Sequence, residues 1–253
     1  QLLLCTYLSA AALVGLLANS LFALWWVDAV AALVIAALAV RRGEADAMIC
    51  GIEGGYANHL KVVEDVLRKR EGVQEFSALS LLISQRGATF LTDTYVTFDP
   101  PAEQIAETTL MAAHEIRRFG ITPRAALVSH SNFGTRDTAS SLKMRKALEL
   151  IRVMAPDLEV DGEMHGDSAI SEDLRHRVMP DSILTGEANL LVFPNLDAAN
   201  IATGLLKTMM DALHVGPILL GSAKPAHILS PSVTSRGVVN MATLAVVEAS
   251  IPT

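Results

Sequence analysis

The residues of this sequence that could do chemistry gather in short polar segments between apolar ones. Ser129-His130-Ser131-Asn132-Phe133-Gly134-Thr135-Arg136 follows the apolar run Ala125–Val128 and precedes a helix-like stretch. Hydroxyls, a glycine and an arginine at such a point suit an anion, because the first backbone N–H groups of a helix lack partners and carry the positive end of its dipole. The same residue types also make an ordinary capped turn without any ligand, and on this segment alone both readings stand. Ser232-Val233-Thr234-Ser235-Arg236-Gly237, before the last apolar stretch, repeats the theme more weakly, with Arg236 as a planar fork for phosphate or carboxylate. Gly216-Pro217-Ile218-Leu219-Leu220-Gly221-Ser222-Ala223-Lys224 has the look of a phosphate loop. Its lysine does not directly follow the second glycine, however, so the Walker pattern fails, and no G-x-G-x-x-G occurs.

Seven histidines, His59, His114, His130, His165, His176, His214 and His227, show neither H-E-x-x-H nor a paired ligand spacing. They read as surface or capping residues, His130 standing apart only for its loop, and no metal site is assigned. Asp161-Gly162-Glu163 and Asp167 bring three carboxylates together. They read either as acid–base machinery or as a strand-end turn followed by a helix cap. No G-x-S-x-G elbow is present, so no Ser–His–Asp triad can be assigned.

The 253 residues are 51% hydrophobic, which excludes a disordered chain. Twenty Lys and Arg against 27 Asp and Glu give a net charge of −7. That balance argues against a nucleic-acid partner, which needs a basic face, but a local pocket on an acidic protein can still take a small anion. Cys5 and Cys50 make no disulfide framework and read as buried thiols of a reducing compartment.

Charge divides the chain into a tail and a body. From Gln1 to Val40 the only charged residue is Asp28. Leu2–Leu24 is long enough to cross a hydrocarbon core of about 30 Å. Trp25 and Trp26 then fall where an aromatic belt lies, and Ala29–Val40 ends at Arg41-Arg42, as a cytoplasmic exit would. This predicts an apolar, transmembrane-like helical hairpin over residues 1–43, with membrane contact through residues 1–42. The alternative is a buried helical hairpin. No basic n-region or cleavage site marks a signal peptide. The chain opens on Gln1, as a fragment or a processed product would.

The body alternates two periodicities. Strands are predicted at Ala47–Cys50, Phe76–Ile83, Phe90–Phe98, Ala125–Ser129, Leu158–Val160, Leu190–Phe193, Pro217–Leu220 and Ala226–Leu229. Helices are predicted at Tyr56–Arg70, from Pro101 to Phe119, and at Ser140–Met154, Ser168–Val178, Asp197–Leu213 and Val238–Ala249. Repeated strand–helix units predict an α/β fold with a mostly parallel central sheet. Ligands of such sheets bind at the carboxyl ends of strands, which selects the loops after Cys50, Val128, Phe193, Leu220 and Leu229.

Two resemblances follow. Leu4-Cys5-Thr6-Tyr7-Leu8-Ser9-Ala10, Trp25-Trp26-Val27-Asp28 and Ala31-Ala32-Leu33-Val34-Ile35 resemble the last two transmembrane helices of cation-diffusion-facilitator transporters, without that family's intramembrane His and Asp ligands. A segment without ligands cannot carry a metal across hydrocarbon. Over residues 44–253, Ala45-Asp46-Ala47-Met48-Ile49-Cys50-Gly51, Leu127-Val128-Ser129-His130-Ser131, Asp161-Gly162-Glu163-Met164, Phe193-Pro194-Asn195-Leu196-Asp197, Gly216-Pro217-Ile218-Leu219, Ala223-Lys224-Pro225 and Ser235-Arg236-Gly237 occur in order. This set resembles the phosphate acetyltransferase family, in the version found at the C-terminus of bacterial NADP-dependent malic enzymes. The fold implied is the phosphate acetyltransferase and isocitrate dehydrogenase-like α/β type, here N-terminally incomplete.

The resemblance implies acyl transfer between coenzyme A and phosphate, with acetyl-CoA and phosphate or acetyl phosphate as ligands, no covalently bound cofactor, a homo-oligomer and a cytoplasmic setting, or a membrane-associated one if the hairpin inserts. It places Ser235 and Arg236 beside the thioester as catalytic residues. It assigns Lys61, Ser129, Ser131, Gly134, Thr135, Asn195 and Asp197 to substrate binding. Lys61 stands where the family has an arginine, keeping the charge but losing the bidentate fork. A second departure touches the chemistry. The family carries a short acidic insert after Ser-Arg-Gly whose Asp is the proposed base, whereas here Gly237 runs directly into Val238-Val239-Asn240-Met241. Loss of a general base slows transfer by on the order of 10²–10⁴-fold. Three readings therefore stand: an acetyl-CoA-binding regulatory and oligomerising module, a working phosphate acetyltransferase, and a chimera of transporter tail and transferase body without joint function.

Overall fold

The computed structural model describes residues 25–250 and, ahead of them, Leu13. In chain order the elements are α1 (Trp25–Arg41), β1 (Met48–Gly51), α2 (Tyr56–Val66), β2 (Ser77–Ser84), β3 (Gly87–Thr92), α3 (Ala102–Arg118), β4 (Arg124–Val128), α4 (Ala139–Met154), β5 (Glu159–Met164), α5 (Gly166–Ala169), α6 (Glu172–Val178), β6 (Leu190–Val192), α7 (Leu196–Met209), β7 (Leu213–Leu220), β8 (Ala226–Leu229) and α8 (Ser235–Ser250). They form two compact units, Gly72–Gly221 and the remainder on either side of it.

The larger unit holds a six-stranded sheet in the order β5-β4-β6-β3-β2-β7. β5, β4, β6 and β3 run parallel to one another, and β2 pairs antiparallel with both β3 and β7. β4 is a continuous small-apolar run, Ala125-Ala126-Leu127-Val128, all buried, as a strand flanked on both edges must be. α4 presents Met144, Ala147, Leu148 and Ile151 to the core, the helical spacing of one buried face. A reciprocal cap starts this helix: Thr138 Oγ1 accepts from the Ser141 N–H, and Ser141 Oγ accepts from the Thr138 N–H. α3 packs on α4 and stops at Gly120, whose φ of +73° suits the left-handed turn after a helix. β7 is the last strand of the sheet, with Pro217 in its middle and a register shift against β2 between Leu79 and Leu81.

The smaller unit pairs β1 with β8 in parallel, Gly51 opposite Leu229. A Cβ at Gly51 would lie 2.2 Å from the Leu229 carbonyl oxygen, so only glycine lets the two backbones meet there. α1 packs on α2 and β1, and α8 on β1 and β8. Ala37 and Val40 of α1 are buried in this unit, so the second apolar run serves a core. Among the described residues no helix is long and apolar enough to cross a membrane. The first apolar run, Leu2–Leu24, lies outside the described residues apart from Leu13, as does Cys5. The hairpin expectation thus has no structural support.

Other expectations are corrected in detail. The mostly parallel central sheet is present as expected, and among the described residues β1 and β8 form a second, two-stranded sheet beside it in sequence. The strand expected to reach Phe98 stops at Thr92, because Asp93 gathers the N–H groups of Ala78, Tyr95, Val96 and Thr97 on its carboxylate and bends the chain. Burial raises the Asp93 pKa, with those four N–H groups opposing the rise. The helix expected over Ser168–Val178 is two short ones, the second capped by Ser171. α7 ends at Met209, and Asp211 at φ +45° turns the chain into β7. Cys50 is only half-buried, though burial still pushes its thiol up to about 12.

Two predictions come from basic side chains drawn into the larger unit. Arg175 on α6 is fully buried and donates to the carbonyls of Ser168, Leu184 and Gly186 at 3.2, 2.9 and 2.7 Å. Arg175→Leu orphans all three and is expected to cost about 3–5 kcal/mol in urea unfolding. His214 on β7 faces Ser80 Oγ at 3.2 Å, and desolvation, helped by Lys207, lowers its pKa from 6.5 to about 4. It folds neutral while the unfolded chain takes up a proton below its ordinary pKa. Stability is therefore expected to fall by about 2–3 kcal/mol as the pH drops from roughly 6.5 to 4. A His214→Gln variant should lack that part of the slope.

Candidate functional site

At the carboxyl end of β4 the chain turns through residues 129–138 into α4. The turn is built around a carboxylate from the neighbouring strand. Glu163 on β5 is fully buried, and its Oε1 accepts from Ser131 Oγ at 2.6 Å and from the Gly134 N–H at 3.0 Å. The Glu163 backbone carbonyl accepts from the Phe133 N–H at 2.7 Å. Four more N–H groups of the turn are also spent internally. Ser131 donates to Ser129 Oγ, Asn132 to Thr135 Oγ1, Thr135 to the Asn132 carbonyl and Arg136 to Ser131 Oγ. Ser131 is accordingly buried, while Gly134, Thr135, Arg136 and His130 are exposed and Ser129 is half-buried. An anion reaching this loop meets side chains, the hydroxyls of Ser129 and Thr135 and the guanidinium of Arg136, rather than a row of backbone N–H groups.

On its outer flank the turn is gripped by Arg145 of α4, which donates to the Arg136 carbonyl, pairs with Asp137 and stands with Nε 3.6 Å from Glu163 Oε2. A cavity of about 350 Å³ adjoins the loop, with Gly134, Arg145, Arg152, Asp161 and Glu163 in its wall. Arg152 is paired with Asp161 at 3.0 Å, and Asp161 also accepts from Ser182 Oγ and the Ile183 N–H. Both guanidinium groups are thus matched by carboxylates of the same unit. Asp161 and Glu163 lie on a strand, not in the strand-end turn expected from sequence. Both stand in the cavity wall, and a register shift against β4 between Leu127 and Val128 leaves Glu163 as the extra residue of a bulge, Met164 pairing with Val128. A Cβ at Gly162 would lie 2.7 Å from the Leu127 carbonyl oxygen, so glycine is required where β5 closes on β4. Asp167 is exposed and accepts from the Ser168 N–H.

At the start of α7, Asn195 is the cap, its Oδ1 accepting from the Ala198 N–H at 2.9 Å, and Asp197 stands exposed in the first turn. In the smaller unit, Lys61 is exposed on α2. Ser235 and Arg236, expected in a loop, form the first turn of α8 and are exposed. Thr234 Oγ1 accepts from the Gly237 N–H at 3.1 Å, and α8 then runs unbroken to Ser250. At the far end of this helix Glu248 Oε2 meets the buried His227 of β8 at 3.1 Å. His227 and the half-buried His214 are therefore not the surface or capping histidines expected. Sequence reasoning missed Glu163 as the loop's anchor; carboxylates set between the apolar Val160 and Met164 were the signal on offer. Among the described residues no group of three or more His, Cys, Asp or Glu could hold a metal ion.

Comparison with known proteins gives this geometry a context. The family described as phosphate acetyl/butaryl transferase matches residues 28–246. A NAD-dependent malic enzyme of Rhizobium meliloti is 78% identical over 219 residues, covering 87% of this chain and 28% of that enzyme. A phosphate acetyltransferase of Paracoccus denitrificans is 37% identical over 212 residues, covering 81% of this chain and 67% of the relative. A solved phosphotransacetylase from Streptococcus pyogenes superposes with a TM-score of 0.79 at 27% identity, over 88% of this chain and 68% of that one. The chain thus spans under a third of the length of the malic enzyme it resembles. The family match begins at residue 28, ahead of Glu44 where the sequence motifs placed its start, and takes in most of α1. The resemblance of the first 43 residues to a cation transporter finds no support. By the extent of the family match and of its relatives, this chain belongs to the phosphate acetyl/butaryl transferase family.

Proposed function

We propose that the chain is the acyltransferase-type portion of a malic enzyme, that it binds acetyl-CoA, and that it serves regulation and assembly rather than efficient acyl transfer. The observation that carries this reading is the unbroken course of α8 from Ser235 to Ser250. With Ser235-Arg236-Gly237 in its first turn, the helix leaves no loop after Gly237 in which an acidic base could sit. The high identity to a malic enzyme supports the parentage.

In this reading the thioester and phosphates meet cations and hydroxyls. Arg236 offers two parallel N–H donors to a phosphate or carbonyl oxygen, and Ser235 adds a hydroxyl beside it on the positive end of α8. Lys61 contributes a point charge to the polyanion. In the larger unit Ser129, Thr135 and Arg136 present the polar face of the loop, with Ser131 and Gly134 shaping it from beneath. Asn195 and Asp197 hold the start of α7, Asn195 by capping it. In the smaller unit, Ser235 and Arg236 can bind and polarise a thioester carbonyl. Deprotonating the coenzyme A thiol, with a free pKa near that of cysteine at about 8.5, needs a base that this segment does not offer. Binding survives that loss, because it needs only the anion contacts. As a module that binds without turning over, the domain suits a regulatory role in a homo-oligomer.

Acetyl-CoA at about 100 times its Kd is expected to stabilise the chain by about 2.7 kcal/mol, read as a rise in Tm. Acetyl-CoA with phosphate should release no thiol above background in a thiol-reagent assay. Thiol release at the rate of a working acetyltransferase would overturn the loss of turnover, and an unchanged Tm would overturn binding. Arg236→Ala should weaken acetyl-CoA by about tenfold or more. Lys61→Arg, which restores a fork, should tighten it.

A further inference from the structure

We propose that Glu163 is a built-in anion: its carboxylate fills the place in the Ser129–Arg136 loop that a bound phosphate would otherwise take, and so acts as the positioning residue that fixes the loop's shape before any ligand arrives. Four observations converge. Glu163 is fully buried, though carboxylates rarely are. One of its oxygens takes both a backbone N–H, from Gly134, and a hydroxyl, from Ser131, the donor types expected around a phosphate at a helix-opening loop. Its other oxygen faces Arg145 Nε at 3.6 Å and has no hydrogen-bond partner among the described residues. Its backbone carbonyl holds the Phe133 N–H of the same loop.

The consequence differs from that of a phosphate-cradling loop. The inner donors are occupied, so an external anion is met by Ser129, Thr135 and Arg136 on the outer surface, and Ser131 acts through the shape it imposes. Removing the carboxylate takes this acceptor from the Ser131 hydroxyl and the Gly134 N–H and leaves Arg145 with Asp137 alone. The loop then loosens, although the sheet beneath it keeps its own ladder.

Hydrogen exchange on the whole chain tests this, read at the Gly134 and Arg136 amides against α3 and the β2–β3 hairpin as internal controls. Glu163→Ala is expected to speed exchange in the loop by about tenfold or more while the controls hold. Formate or acetate should restore protection, and chloride at matched ionic strength should not. Unchanged loop exchange, or equal rescue by chloride, overturns the proposal. If Glu163→Ala does not fold, Glu163→Gln decides. It keeps the shape but loses the charge, so it should speed loop exchange selectively, and protection equal to the wild type overturns the proposal. The loop's consequence for ligands rests on the proposed function and is read separately. Glu163→Gln should weaken inorganic phosphate and acetyl-CoA while Tm stays near that of the wild type. Should the wild-type chain bind neither, the proposed function fails, and the exchange result still decides the role of Glu163.

Discussion

A buried polar group must find a partner inside the chain, and the larger unit meets this demand with side chains that serve backbone. Asp93 collects four N–H groups where β3 ends. Asn189 takes the Arg124 N–H and gives to the Thr122 carbonyl, tying the entry of β4 to that of β6. Arg175 closes three carbonyls below α6. Glu163 closes the turn after β4. Each of these groups is costly to bury alone and inexpensive once paired. Asp93 and Glu163 shape the segments after β3 and β4, at the carboxyl ends where ligands of open α/β sheets bind, while Asn189 works at the opposite ends.

The smaller unit solves a different problem with fewer residues. Two four-residue strands give it little ladder, so it relies on close backbone approach at Gly51 and on helices that cover the pair. α8 is held near its end by Glu248 on His227 and at its start by the Thr234 cap. Arg236 is thereby carried on a helix fixed at both ends, which lowers the entropy lost when its guanidinium engages a ligand.

Much of the fold was legible because the body alternates strand and helix periods cleanly. Ala125–Val128 could only be a buried strand, and the spacing of Met144, Ala147, Leu148 and Ile151 could only be a helix face. What escaped depended on side chains recruited from a distance. Phe90–Phe98 kept strand propensity throughout, and only the pull of Asp93 on four amides ended β3 early. The polar content of Ser129–Arg136 was read correctly as a loop, but its partner lies 32 residues away in sequence at Glu163, a distance no local pattern reports. The second apolar run, Ala29–Val40, misled for a related reason. A helix that buries Ala37 and Val40 in a small unit has the same composition as one made for lipid.

The position of Pro217 bears on how the sheet avoids unwanted company. β7 is the terminal strand of its sheet, and a terminal strand offers unpaired N–H groups to any passing extended chain. Proline has no N–H to offer, and the irregular register beside Leu79 and Leu81 makes the border uneven. Strand-by-strand addition needs an even row of donors, and Pro217 breaks that row at a strand buried from Val215 to Leu220.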